Sequence, residues 1–145
     1  MNSIISGVYL TPLKQIHHPQ GDLFHALKAS ENSFNVFGEA YFSTVHQGVI
    51  KSWKKHQHMR LNLVVPLGCI RFVVCDDRDG AYLFNEYRLG PNTQYARLTV
   101  EPGIWMAFQG LDQGLNLLLN IADMEHDPNE AIRKELEEIP YNWDI

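Results

Sequence analysis

The sequence predicts an all-β sandwich or barrel, and three observations carry that prediction. Short apolar or alternating runs recur along most of the chain, turn-forming clusters separate them, and no helical pattern interrupts them before position 127. Strands joined by local turns in this way favour hairpins and Greek-key connections over a parallel sheet with crossover helices.

In order, the candidate strands lie at 7–13, 36–45, 59–65, 69–75, 81–87, 95–100, 105–109 and 115–121. Between them stand HPQGD (18–22), PLG (66–68), DDRDG (76–80), GPN (90–92), EPG (101–103) and DQG (112–114), all rich in residues that tight turns favour. The segment DPNEAIRKELEEI (127–139) reads differently. Asp127 suits an N-cap, Pro128 the first helical position and Glu130 the first turn. Its apolar stripe, Ala131, Leu136 and Ile139, is narrow, so a short C-terminal helix or turn on the outside of the barrel is expected. No repeat, low-complexity tract or linker appears, and residues 1–145 read as a single domain.

A chain of 145 residues that is 45% hydrophobic can bury roughly two thirds of its unfolded surface without a disulfide framework. Cys69 and Cys75 are six positions apart on one candidate strand, about 20 Å when extended, so no bridge between them is expected. The N-terminal residues lack a basic start followed by a long apolar core, and no apolar run approaches the ~20 residues of a membrane span. A cytoplasmic protein is expected. The net charge of -5 gives no general attraction to nucleic acid or to an anionic membrane. Lys51, Lys54, Lys55, Arg60 and Arg71, however, gather in a stretch that also holds two histidines, which leaves room for a small anionic ligand.

That stretch, GVIKSWKKHQHMRLNLVVPLG (48–68), is the most informative in the chain. Read as one extended strand, it puts Lys54, His56, His58, Arg60 and Asn62 on one face and Met59, Leu61, Leu63 and Val65 on the other. The polar face either looks into water, as in many antiparallel strands, or lines a site inside a small barrel. Nothing in the sequence matches a Ser-His-Asp or Cys-His set, a phosphate-cradling glycine loop or a dinucleotide fingerprint.

A glycine-bounded His-x-His strand followed by a strand that begins Pro-Gly resembles the cupin jelly roll, a double-stranded β-helix. More narrowly, residues 48–78, VEPGIWMAFQGLD (100–112) and EIPYNW (138–143) resemble the nucleotide-sugar epimerase family typified by dTDP-4-dehydrorhamnose 3,5-epimerase, and above all its shorter relatives. The likeness runs from about position 21 to 143. Val49, Ile50, Lys51, Trp53, His56, Asn62, Leu63, Gly68, Pro102, Gly103, Trp105, Phe108, Pro140, Tyr141 and Trp143 agree with the family pattern. Four places differ. Lys54 stands where the family has its basic histidine, Met106 follows Trp105 in place of a histidine, Met59-Arg60-Leu61 replaces Gln-Thr-Asp, and Met124 falls near the family's tyrosine.

The resemblance implies a cupin that acts on a nucleoside-diphosphate 4-keto-6-deoxysugar in surface-polysaccharide (lipopolysaccharide) biosynthesis. The ketone acidifies the neighbouring C–H bonds; a base removes a proton, hydrogen-bond donors hold the enolate, and a second group returns the proton from the opposite face. It also implies a homodimer, a nucleotide-linked sugar as partner and no metal or organic cofactor. On this basis His56 and Lys54 are the expected catalytic residues, with Lys51, Arg60, Asn62, His58 and Trp105 binding substrate. Lys54 has three readings: a base whose pKa burial lowers, a fixed cation beside a histidine base, or part of a pocket that only binds. The last corresponds to the rival function, a non-catalytic sugar-binding cupin. His56 and His58 could share a metal, but the further ligand positions hold Asn62 and Met106, so no metal is expected. Tyr41 and Tyr141 could donate a proton, and no spacing argument singles either out.

Overall fold

Apolar residues at every second position of β6 (Leu61–Leu67) and β7 (Ile70–Asp76) create two greasy faces, and the architecture follows from packing one on the other. The computed structural model describes residues 4–144. One sheet runs β1 (Val8–Pro12), β9 (Ala96–Val100), β6, β11 (Leu117–Ala122), β4 (Glu39–Thr44). The other runs β12 (Ala131–Arg133), β5 (Ile50–His56), β10 (Trp105–Gly110), β7, β8 (Leu83–Leu89). A small hairpin, β2 (Gln15–Ile16) with β3 (Leu23–Phe24), stands apart, and every strand pair is antiparallel. This is the cupin jelly roll. Each of the eight candidate strands is present, with its ends shifted by three residues at most.

Between the sheets Leu61, Leu63, Val65, Leu98 and Leu118 meet Ile70, Phe72, Val74, Leu89 and Met106. β7 is buried along its whole length because its other face is covered too. There Val73 and Cys75 join Trp53, Trp105, Ala107 and Ile139, under Leu136, Tyr141 and Trp143 of the C-terminal tail. Arg71 pins that tail: its guanidinium donates to Glu86 at 2.8 Å and to the Trp143 carbonyl at 2.8 Å, and the Tyr141 hydroxyl donates to the same Glu86 at 2.5 Å. Thus the EIPYNW ending is an anchor. Cys69 and Cys75 are buried and unbridged; burial, then the carboxylates of Asp77 and Asp76, push the Cys75 thiol up to about 12.

The short C-terminal helix or turn expected in 127–139 takes the form of turns. Asp127 caps one, accepting the Asn129 amide at 3.0 Å, and the chain then enters β12 and a single 3-10 turn at Leu136–Glu138. Pairing with the edge of β5 outweighs the helical signals at the start of the segment. One expectation is corrected here: 48–68 is not one strand. β5 belongs to the second sheet and β6 to the first, and the chain crosses between them at 57–60. Alternation is broken there, so Met59, Leu61 and Leu63 look inward together with Lys54 and His56, while Arg60 and Asn62 look outward.

Trp53 links the second sheet to the tail, burying its ring and donating its indole N–H to the Leu136 carbonyl at 3.1 Å. In urea denaturation Trp53→Ala should lower stability by about 3–5 kcal/mol. Val49→Ala, at an exposed position of the same stretch, should leave the midpoint nearly unchanged.

Candidate active site

A chamber of about 230 Å³ opens between the sheets. Its depth is apolar, with Leu61, Leu63, Leu118, Val100, Ile104 and Met106, and polar groups gather on two facing walls. From β5 come Lys51, Ser52, Lys54 and His56; from β4 and β11 come Tyr41, Ser43 and Asn120.

Backbone irregularity sets the first wall. Lys54 and His56 share a face by simple alternation, whereas Lys51, an odd number of positions away from Lys54, should face the other way. A bulge in the β5–β10 ladder, between the Met106–Lys54 and Phe108–Lys51 pairs, turns Lys51 back toward the chamber and lays its ammonium 5.8 Å from the centre of the Phe108 ring. The Pro102–Gly103 turn fixes the end of β5: the Gly103 amide donates to the His56 carbonyl at 2.8 Å, with Gly103 at φ +91°, a conformation that favours glycine.

Glu130 completes this wall. It is 4% exposed, and one carboxylate oxygen stands 2.5 Å from His56 Nδ1 while the other accepts the amides of His58 at 2.9 Å and Met59 at 3.0 Å. Burial alone would raise its pKa, but the hydrogen bonds from His56, His58 and Met59 prevail and hold it at about 2. An ionised acceptor at Nδ1 holds a proton on that nitrogen and orients the ring, so Nε2 is the nitrogen that does not face Glu130.

Beside it, Lys54 is held below its ordinary pKa by burial first, then by repulsion from Arg133 and Lys51, against the attraction of Glu130. On the opposite wall Tyr41 accepts the Asn120 side-chain N–H at 2.9 Å, so its own O–H proton is not used in that bond. Burial, then the Glu39 carboxylate, hold the Tyr41 phenol above its ordinary pKa despite the Asn120 hydrogen bond. The chamber therefore presents a carboxylate-held histidine on one side and a protonated phenol on the other.

Of the residues anticipated from sequence, His56, Lys54 and Lys51 meet at this chamber, and four do not. Arg60 lies on the outer side of the first sheet, paired with Glu101 at 2.6 Å. Asn62 faces the same way, donating to the Ser33 carbonyl at 3.0 Å and accepting from Thr99 at 2.6 Å. The crossing at 57–60 accounts for both. The His58 side chain is exposed, and only its amide takes part, through Glu130. Trp105 is buried on the far face of the second sheet, its N–H on Asp77 at 3.0 Å and its ring beneath the ammonium groups of Lys55 and Lys134. Glu130 was not read as a site residue because it sat inside a segment read as a short helix or turn on the outside of the barrel. The alternation of Tyr41 with Ser43 in EAYFST was the one available sign for the facing wall.

No family model matches the sequence. Among solved structures, the dTDP sugar isomerase of Desulfovibrio desulfuricans G20 is 31% identical, with a TM-score of 0.90, over 97% of this chain and 95% of that one. The chain belongs to the dTDP-4-dehydrorhamnose 3,5-epimerase-like, nucleotide-sugar epimerase and isomerase family of cupins. A curated relative, the spore coat polysaccharide biosynthesis protein SpsL of Bacillus subtilis (strain 168), is 23% identical over 97% of both chains. The sugar 3,4-ketoisomerase QdtA of Thermoanaerobacterium thermosaccharolyticum shares the fold at 18% identity, with a TM-score of 0.75 over 90% of each chain. Among the described residues, no helix is long and apolar enough to cross a membrane.

Because Glu130 is ionised far below the usual carboxylate range, it favours the folded state fully above about pH 4.5, and that contribution fades as pH falls toward 2. It amounts to about 3 kcal/mol. Thermal melts of the wild type should therefore drop across this acid window, and Glu130→Gln should flatten the drop while lowering stability at neutral pH.

Proposed function

We propose that the protein, as a single cupin domain, is an epimerase or isomerase of a nucleoside-diphosphate 4-keto-6-deoxysugar, acting in the cytoplasm in the supply of sugars for surface polysaccharide. The observation that carries this reading is the His56–Glu130 pair facing Tyr41 across the chamber. His56 Nε2 takes the proton from the carbon beside the ketone. Lys54, which among the described residues has no carboxylate in ion-pair range, stabilises the enolate oxygen as charge develops. Tyr41 returns a proton from the other side, and its raised pKa keeps it protonated at neutral pH. In this reading the histidine two positions beyond the family's usual base carries the base function, and Lys54 takes an electrostatic role.

Incubation with a dTDP-linked 4-keto-6-deoxysugar in deuterium oxide should place deuterium at the carbon beside the ketone, as read by NMR. His56→Asn should slow this exchange about 10²- to 10⁴-fold. Tyr41→Phe should leave the exchange but slow net conversion of the sugar. Tight binding of the nucleotide sugar without any exchange would mark the protein as a non-catalytic binder instead.

We further propose a homodimer formed through the outer face of the first sheet. Phe42, on the open edge strand β4, is 64% exposed, and Val36 and Phe37, in the segment that leads into that strand, are 57% and 59% exposed, large apolar side chains left in solvent near an unpaired sheet edge. Light scattering should give a dimer mass for the wild type and a monomer mass for Phe42→Glu.

A further inference from the structure

A second cavity, of about 400 Å³, adjoins the chamber at the β5–β12 edge of the second sheet and shares Lys51, Ser52 and Lys54 with it. Its new wall is the short edge strand β12 and the residues after it, among them Arg133. Arg133 is directly opposite Lys54 in the β5–β12 ladder, and residues opposite one another in antiparallel strands project to the same side of the sheet. Ala131 stands opposite His56 in the same ladder, so that side is the chamber side. Ile132 and Lys134, one position away on either hand, point to the far face, where Lys134 covers Trp105.

Three cations therefore converge at the junction of chamber and cleft. Among the described residues, none of Lys51, Lys54 and Arg133 has a carboxylate within ion-pair distance. The cleft's two acidic residues, Glu135 and Glu138, form no ion pair with any of the three, and Glu138 turns its carboxylate to the Glu135 amide at 2.6 Å. Such a group of like charges, unpaired and gathered at the mouth of a cavity, is what a compact dianion requires of its site.

We propose that Arg133, acting with Lys51 and Lys54, grips the diphosphate of the ligand in this cleft. The inference rests on the nucleotide-sugar reading and adds a residue and a place to it. The sugar occupies the chamber, its two phosphates lie along the cleft, and the guanidinium of Arg133 supplies a planar fork of donors to phosphate oxygens. One edge strand then serves both halves of the ligand. Residue 130, just before it, holds the histidine, and residue 133, at its end, holds the phosphates.

Titration calorimetry of the intact protein with dTDP and with thymidine tests this. The wild type should bind dTDP far better than thymidine, with affinity falling as salt rises. Arg133→Gln should weaken dTDP about ten- to hundred-fold, as loss of a charged hydrogen-bonding group does, and leave the affinity for thymidine unchanged. Arg133→Lys should recover part of the loss, and Lys14→Gln, the same charge change at an exposed position away from the cleft, should have no effect. In turnover, Arg133→Gln should raise KM with little change in kcat. Thermal melting matching the wild type would show that the variant is folded. Wild-type affinity for dTDP in folded Arg133→Gln would overturn the proposal and leave the nucleotide-sugar reading standing. A wild-type protein that neither binds dTDP nor exchanges deuterium into the keto-sugar would overturn that reading, and the proposal with it.

Discussion

The buried carboxylate of Glu130 ties the protein together at its most demanding point. There the chain leaves one sheet for the other, and its backbone amides need partners that neither ladder provides. Glu130 accepts the amides of His58 and Met59, and Asp123 accepts that of Arg60 at 2.8 Å, so two carboxylates satisfy the crossing. The same Glu130 carboxylate holds His56. The carboxylate that satisfies the crossing thus also holds the histidine, and these hydrogen bonds keep its pKa low in spite of burial. Its placement depends in turn on the tail, since the 3-10 turn and the Tyr141–Trp143 anchor secure the chain on either side of Arg71 and Trp53.

Much of the architecture was legible in the sequence because the signals are local. Alternating apolar residues, with turn groups such as DDRDG and EPG between them, placed eight strands to within a few residues, and the match of Pro102-Gly103 and EIPYNW to a family pattern pointed to the jelly roll. What was not legible is what depends on pairing at a distance. Glu130 and Arg133 sat in a segment with helix-start residues, and only the free edge of β5, some 75 positions earlier, makes that segment a strand. Strict alternation through 57–60 assigned Arg60 and Asn62 to the wrong side. It also gave no reason for Lys51 to join Lys54, which takes a bulge that strand periodicity does not encode.

The departures from the family pattern make physical sense together. With Lys54 in place of the family's basic histidine, the chamber carries an amine where the family has an imidazole; His56, on the same face two residues on, is the chamber's imidazole with a carboxylate partner. Met106, opposite Lys54, contributes no polar group and keeps that part of the chamber apolar. An apolar neighbour strengthens whatever charge stands beside it, both as attraction to an anion and as a penalty when no anion is there.

That penalty is visible at Lys54. Burial and the repulsion of Arg133 and Lys51 hold the Lys54 amine below its ordinary pKa, so three like charges are kept together at some cost to the folded protein. Natural proteins tolerate such local conflict where a ligand resolves it. An anion seated among these cations would reverse the sign of the field at Lys54 and favour its protonated form, the form that the proposed mechanism sets against an enolate in the chamber. Binding of the remote, unreactive phosphates would in this way prepare the group that stabilises the reacting end, which is how binding energy away from the reacting carbon comes to serve the chemical step.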